Sequence, residues 1–196
     1  MGRAGYVLAG GRSSRMGTDK ALLPYYGITL IEHVAGLVQL AAGSVCAVGG
    51  GEACERLGLR VIPDLWPGCG PLAGIHAALS DSSGDWNLVL ACDMPAVPPV
   101  LLEELFVCAE NSEADCVVPL PAGERPQPLC AVYHRRCASS AGAALAQGRR
   151  KLAGWLGGLR VEWRTAVESH WFVNTNTPEE WRLYLREEIA RSPHGV

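Results

Sequence analysis

Val7-Leu8-Ala9-Gly10-Gly11-Arg12-Ser13-Ser14-Arg15-Met16-Gly17-Thr18-Asp19-Lys20 is the stretch whose reading decides the architecture. An apolar run ends in two glycines and gives way to a polar loop carrying Arg12, Arg15 and Lys20. An apolar run of that length, bounded by Gly, reads as a buried strand. Glycines just past it let the backbone approach a ligand with no Cβ in between. Three cations, the hydroxyls of Ser13 and Ser14, and several backbone N–H groups suit a polyanion such as a triphosphate. The usual phosphate loop is a different string, because here Gly17 is followed by Thr18-Asp19-Lys20 rather than by Lys-Ser/Thr. The dinucleotide fingerprint fails as well, since Gly10 and Gly11 are adjacent rather than alternating.

Outward from that stretch, strand and helix patterns alternate, which argues for a parallel-rich α/β sheet. Thr29 begins a helix running to about Ala42, with Thr29 and Glu32 as a capping box and Gly43 as its stop. Strands are expected over 44–48, 59–62, 87–92, 115–120 and 128–133, with an edge strand over 159–164 and a last short strand at Trp171-Phe172-Val173. Helices are expected over 52–57, from Pro71, from Val97-Pro98-Pro99, over 135–146, just after Lys151, and from Thr177-Pro178-Glu179-Glu180. Gly68-x-Gly70-x-x-Ala73 matches a dinucleotide fingerprint by letter, but no strand precedes it, so that reading is rejected. With no repeat, low-complexity segment or linker, a single domain over residues 1–196 is expected.

Composition narrows the function classes. The chain has 196 residues, 48% hydrophobic and 19% charged, enough for a sizeable core. A formal net charge of −3 offers no broad attraction to nucleic acid, so basic groups must act locally. No apolar run approaches the roughly 20 residues of a membrane span. The opening Met1-Gly2-Arg3-Ala4-Gly5 lacks a signal-peptide core, so a cytoplasmic protein is expected. The eight cysteines form no Cys-x-x-Cys pair and read as reduced core thiols. The five histidines are scattered, and no Ser/His/Asp or Cys/His set stands out.

In an open α/β sheet, ligands bind outside the carboxyl ends of the strands. The opening loop, Gly49-Gly50-Gly51, Asp64 and Asp93 all fall just past predicted strands, so four separate segments point at one crevice. Asp93 is read either as a cap for the helix after Pro95 or as a metal ligand. Asp64 is likewise either a turn-former or a ligand contact. Beside a cationic loop the metal reading of Asp93 gains, because magnesium takes few protein carboxylates and completes its shell with phosphate oxygens and water.

Leu8 to Leu23 is similar to the opening pattern Leu-Ala-Gly-Gly-x-Ser-x-Arg-Met-Gly-x-Asp-Lys-Ala-Leu-Leu of the nucleotidyltransferases, and most closely of the molybdenum cofactor guanylyltransferases. Val61-Ile62-Pro63-Asp64, Gly70-Pro71-Leu72-Ala73-Gly74, Asp93-Met94-Pro95, Arg125-Pro126-Gln127-Pro128-Leu129 and Asn174-Thr175-Asn176-Thr177-Pro178 resemble the family's later motifs, so the likeness runs from Leu8 to Trp181. It implies a three-layer, Rossmann-like nucleotidyltransferase fold with a mostly parallel central sheet. It also implies transfer of GMP from GTP to the phosphate of molybdenum-loaded molybdopterin, with release of pyrophosphate. Mg2+ is the implied cofactor, with other molybdenum cofactor biosynthesis proteins or molybdoenzymes as candidate partners. By the same resemblance Leu8, Ala9, Gly10, Gly11, Lys20, Asp64 and Asp93 bind the nucleotide. Arg15, Lys20 and Asp93 are catalytic, and Asp93 holds the metal. Arg125, Gln127, Asn174 and Asn176 face the acceptor, and the run Arg149-Arg150-Lys151 is either a contact for the acceptor phosphate or a solvated basic patch. Gly10 narrows the likeness, because relatives using cytidine more often carry Ala there. Gly49 to Gly51 departs from it, replacing a stretch where relatives often supply a polar side chain, so contacts there would come from backbone. The alternatives are a molybdopterin cytidylyltransferase using CTP, a sugar-phosphate nucleotidyltransferase, and a non-catalytic nucleotide-binding subunit.

Overall fold

The computed structural model describes residues 2–10, 20–173 and 178–191, apart from the side chains of 178 and 187–191. The first half of the chain forms β1 (Arg3–Leu8), the two-residue strands β2 (Pro24–Tyr25) and β3 (Ile28–Thr29), α1 (Leu30–Ala42), β4 (Cys46–Val48), α2 (Gly51–Arg56), β5 (Arg60–Ile62) and α3 (Pro71–Asp81). The second half forms β6 (Trp86–Ala91), α4 (Pro99–Glu110), β7 (Cys116–Pro119), β8 (Cys130–His134), α5 (Cys137–Ala146), α6 (Leu152–Leu156), β9 (Val161–Arg164) and α7 (Pro178–Arg191).

Seven strands make one sheet in the order β5-β4-β1-β6-β8-β7-β9. All neighbours pair in parallel except β8, which runs against both β6 and β7. Alternation along the strands sorts side chains to two faces, as period-two geometry demands. Val7, Ala47, Leu88, Leu90 and Val117 join α1 and α4 in one core cluster. Tyr6, Leu8, Val48, Val89, Cys116 and Val118 join α3, α5 and α6 in the other. The result is the expected three-layer α/β arrangement, with β6 buried along its whole length.

Local signals act as the residues dictate. The Thr29 side chain accepts from the Glu32 N–H while the Glu32 carboxylate accepts from the Thr29 N–H, and Gly43 closes α1 in the left-handed conformation. Pro71 starts α3 and Pro99 starts α4. Residues 63–70 before α3 contain no strand, consistent with rejecting a dinucleotide motif there. All eight cysteines are free.

One expectation needs correction, and one feature is new. Trp171-Phe172-Val173 is no strand: Ser169–Phe172 is a 3-10 turn, closed by the Trp171 N–H donating to the Glu168 carbonyl at 3.2 Å. Phe172 is buried in the core there and the adjacent Trp171 packs against it half-buried, while Val173 is exposed, so consecutive side chains do not alternate between two faces as a strand requires. The β2–β3 hairpin was not foreseen. It turns at Tyr26 and Gly27, with φ of 45° and 89°, so a tyrosine stands in the left-handed region where Asn or Gly is the usual signal. Thr177, expected to cap the last helix, lies outside the described residues. Among the described residues no helix is long and apolar enough to cross a membrane.

Candidate active site

The strand order reverses at β1, which has β4 on one side and β6 on the other. Ligand crevices form at such reversals, beyond the carboxyl ends of the strands. Backbone hydrogen bonds continue past the regular ladder at this rim. The Ala9 N–H donates to the Val48 carbonyl at 3.0 Å, Gly49 N–H to Ile62 at 3.1 Å, and Cys92 N–H to Leu8 at 3.2 Å. The exits of β1, β4, β5 and β6 are therefore tied side by side.

A cleft of about 410 Å³ opens there, lined by Leu8, Gly10, Val48, Gly49, Asp64, Gly68, Gly70, Pro71 and Gly74. Its walls are backbone and small apolar groups, with one carboxylate. Such a lining suits a flat, mostly apolar body carrying a few polar edge groups. Gly49 and Gly50 both sit at positive φ, 76° and 77°. A Cβ on Gly49 would come within 3.0 Å of the Gly10 Cα, and one on Gly50 within 2.4 Å of the Cys54 Sγ. The glycine run thus lets the β4 exit lie flush against the β1 exit.

Asp64 forms the turn expected of it and also lines the cleft. One carboxylate oxygen accepts from the Trp66 N–H at 2.8 Å, a local turn bond, while the residue lines the cleft half-buried. Behind it the Trp66 ring meets His76 edge-on, 6.4 Å between centroids. Burial pushes the His76 imidazole below its ordinary value, and the Asp64 charge only partly opposes this. The wall behind Asp64 is therefore neutral at neutral pH.

Asp93 follows β6. It caps nothing, because Pro98 occupies the position before α4, so the cap reading falls away. Instead the Lys20 Nζ donates to its Oδ2 at 3.0 Å, with the two side chains 13% and 27% exposed. Lys20 opens a short 3-10 turn, Lys20–Leu22, so residues 73 positions apart are brought into a half-buried ion pair one strand away from Leu8. Removing either partner of such a pair leaves an uncompensated charge. Among the described residues no group of three or more His, Cys, Asp or Glu could hold a metal ion.

The other expected residues are scattered in visibility. Gly11 and Arg15, with Arg12, Ser13 and Ser14, lie outside the described residues, as do Asn174 and Asn176. Leu8, Ala9 and Gly10 stand at the exit of β1 as expected. Arg125 is exposed on the loop between β7 and β8, which opens at the same rim. Gln127 is half-buried there, its Nε2 donating to the Arg125 carbonyl at 3.2 Å and its N–H to Pro119 at 2.9 Å. Because β8 runs backwards, α5 sets out from the far rim, and Arg149, Arg150 and Lys151 between α5 and α6 are all exposed. Trp66 and His76, which pack on each other next to Asp64, were not anticipated. Nothing in their local sequence marks them, because their roles exist only once α3 is packed.

Comparison with known proteins agrees with this geometry. Residues 5–161 match the family model described as a MobA-like NTP transferase domain. A protein of Pelotomaculum thermopropionicum named probable molybdenum cofactor guanylyltransferase is 39% identical over 184 residues, covering 90% of this chain and 88% of the relative. The crystal structure of molybdopterin-guanine dinucleotide biosynthesis protein A from Archaeoglobus fulgidus superposes with a TM-score of 0.80 at 31% identity, covering 96% of this chain and 99% of the other. The 2-C-methyl-D-erythritol 4-phosphate cytidylyltransferase of Thermus thermophilus, at 20% identity and a TM-score of 0.70, covering 95% and 98%, shares the fold.

Proposed function

Because this chain belongs to the family of MobA-like NTP transferases, we propose that it transfers GMP from GTP to the terminal phosphate of molybdenum-loaded molybdopterin. The curated relative and the Archaeoglobus structure, by their names, favour this acceptor and nucleotide over the alternatives. An oxygen of the acceptor phosphate attacks the α-phosphorus of GTP, the bond to the β-phosphate oxygen breaks, and pyrophosphate leaves. The acceptor is already an anion near neutral pH, so no side chain need remove a proton. The difficulty is crowding of negative charge, so catalysis consists of positioning and electrostatic stabilisation.

The observation that carries this reading is the Lys20–Asp93 contact of 3.0 Å beside the cleft. Lys20 is the cation available to the α-phosphate. Arg15, with the backbone of Gly10 and Gly11, is read as the grip on the leaving pyrophosphate. The cleft takes the base and ribose, with the Asp64 carboxylate as the acceptor for the paired N–H donors on the guanine edge. Cytosine presents a donor beside an acceptor and fits a carboxylate less well.

Magnesium fits the donor set. Asp93 is a partly open carboxylate that already attracts a cation and belongs to no cluster of three or more metal-ligating side chains among the described residues, which suits an ion that draws the rest of its shell from phosphate and water. Asp93 would hold it, and bound there it would withdraw negative charge from the triphosphate. On the acceptor side Arg125, Gln127, Asn174 and Asn176 are read as pterin contacts, with Arg149 and Arg150 available to the acceptor phosphate. We place the enzyme in the cytoplasm, beside the proteins that deliver and receive the cofactor.

Pyrophosphate release tests the proposal, with each of GTP, CTP, ATP and UTP offered with Mg2+ and molybdenum-loaded molybdopterin. Release with GTP at roughly a hundredfold or more over CTP is expected, because a mismatched polar edge leaves buried groups unpaired. Turnover with CTP alone would identify a cytidylyltransferase. Thermal stabilisation by GTP without any release would identify a binding subunit.

A further inference from the structure

Lys20 and Asp93 come from segments far apart in the chain, and His33 touches the support of both. Its Nε2 lies 3.0 Å from the Pro95 carbonyl, two residues beyond Asp93. Since a carbonyl only accepts, Nε2 carries the proton in this contact. On its other side the His33 ring packs on Tyr25, 4.4 Å between centroids and tilted by 45°. Tyr25 follows the turn that carries Lys20, and that turn is tied to α1 by the Leu30 N–H donating to the Leu23 carbonyl at 2.8 Å. Tyr25 also meets Trp181 of α7, with ring centroids 5.9 Å apart. His33 lies in the first turn of α1, whose start is fixed by the Thr29–Glu32 capping box, so its reach is set by a rigid element.

We infer that His33 is a positioning residue of the nucleotidyl transfer site: it sets the spacing of Lys20 and Asp93 by holding the Pro95 carbonyl with Nε2 while its ring braces Tyr25. The inference rests on the reading of Asp93 as the metal holder and Lys20 as the phosphate cation. A group that only filled space would be replaceable by any ring of similar size. A group that sets the Asp93 loop needs its donor at the Nε2 position. Glutamine places an amide nitrogen near that point, asparagine falls short of it, and phenylalanine keeps the ring without the donor.

The test uses the full chain and has two readouts. One is the rise in melting temperature given by GTP with Mg2+ over that given by GTP with EDTA. The other is pyrophosphate release, separated into kcat and the KM for Mg2+. For His33→Phe the metal-dependent rise should vanish, and kcat divided by the KM for Mg2+ should fall about tenfold to a hundredfold. The rise with GTP and EDTA should persist. His33→Gln should recover both readouts to within about threefold. If His33→Phe fails to fold, His33→Asn takes its place and should behave as described for phenylalanine. Asp93→Asn is the control and should lose the metal-dependent rise. A wild-type rise and turnover in the phenylalanine or asparagine variant, with the control deficient, overturns the role of His33 and leaves the site reading intact. Failure of glutamine to recover the readouts overturns it as well. Retention of the rise by Asp93→Asn overturns the site reading itself, and the inference with it.

Discussion

The two halves of the rim are built on different principles. On the β5-β4-β1 side the cleft is lined by Gly10, Gly49, Gly68, Gly70 and Gly74 with a single carboxylate, and at Gly49 backbone lies against the backbone of Gly10. On the β8-β7-β9 side the groups available are exposed side chains on connecting loops, Arg125 and the run Arg149 to Lys151. On the proposed function this is the nucleotide half, a slot that tolerates no added Cβ at Gly49 or Gly50. The acceptor half is a charged surface, where one residue can change without moving its neighbours. On the proposed function the chemistry belongs to the seam between them, where Lys20 and Asp93 pair.

The seam should give the largest effects. Asp93→Ala should abolish Mg2+-dependent pyrophosphate release. Lys20→Ala should cut kcat on the order of a hundredfold to a thousandfold, while GTP binding by calorimetry weakens only a few-fold. Equal losses in turnover and affinity for Lys20→Ala would contradict its place on the α-phosphate.

The contrast between the halves is sharpened by pairing Gly50→Ala with Arg125→Ala. An added Cβ at Gly50 meets the Cys54 Sγ at 2.4 Å and the Ala9 Cβ at 2.9 Å, at a φ of 77°. We expect a loss of about 1–3 kcal/mol of stability in denaturant unfolding, with weaker GTP binding. Arg125→Ala should leave stability and GTP binding unchanged and raise the KM of the acceptor about tenfold, the scale of one exposed charged contact. Weakened GTP binding in Arg125→Ala would break the division.

The smallest effect lies at the opposite rim. The Arg60 guanidinium holds the Asp81 carboxyl below its ordinary value through hydrogen bonds of 2.7 and 2.6 Å. A carboxyl whose folded value is depressed stabilises the fold fully above its unfolded value, near pH 4, and loses that contribution as pH falls through the folded one. Arg60→Ala should therefore raise the midpoint of acid unfolding by a few tenths of a pH unit and leave turnover at neutral pH untouched. Changed turnover would mean that the two rims communicate.

Much of the nucleotide half was legible because its determinants are local. The apolar run before Gly10, the capping box at Thr29, the prolines opening α3 and α4, and the aspartates just past strand ends each act within a few residues. The ion pair of Lys20 with Asp93 could be inferred once both were placed at one rim. The direction of β8 was not legible, because pairing sense is a tertiary property and an apolar run of five reads the same either way. Trp171-Phe172-Val173 looked like a strand by propensity and became a turn, because the neighbours Trp171 and Phe172 both pack on one core and, among the described residues, no strand lies beside them to pair with. His33 and His76 carry no local mark; each matters through a partner more than ten residues away or across a helix packing. The acceptor half stayed thin for a related reason: exposed cations on loops look alike in sequence whether or not they meet a ligand.

The backward run of β8 has a consequence for how such a scaffold diversifies. Antiparallel neighbours need no helix between them, so β7 and β8 are joined directly by residues 120–129 at the working rim. Between its packed ends, Pro121 and Leu129, the exposed tip over 122–125 can grow or shrink at little entropic cost, roughly 0.6 kcal/mol for each doubling of length. A lineage could trade one acceptor for another by rewriting that link alone, leaving the slot on the far side of β1 as it was inherited.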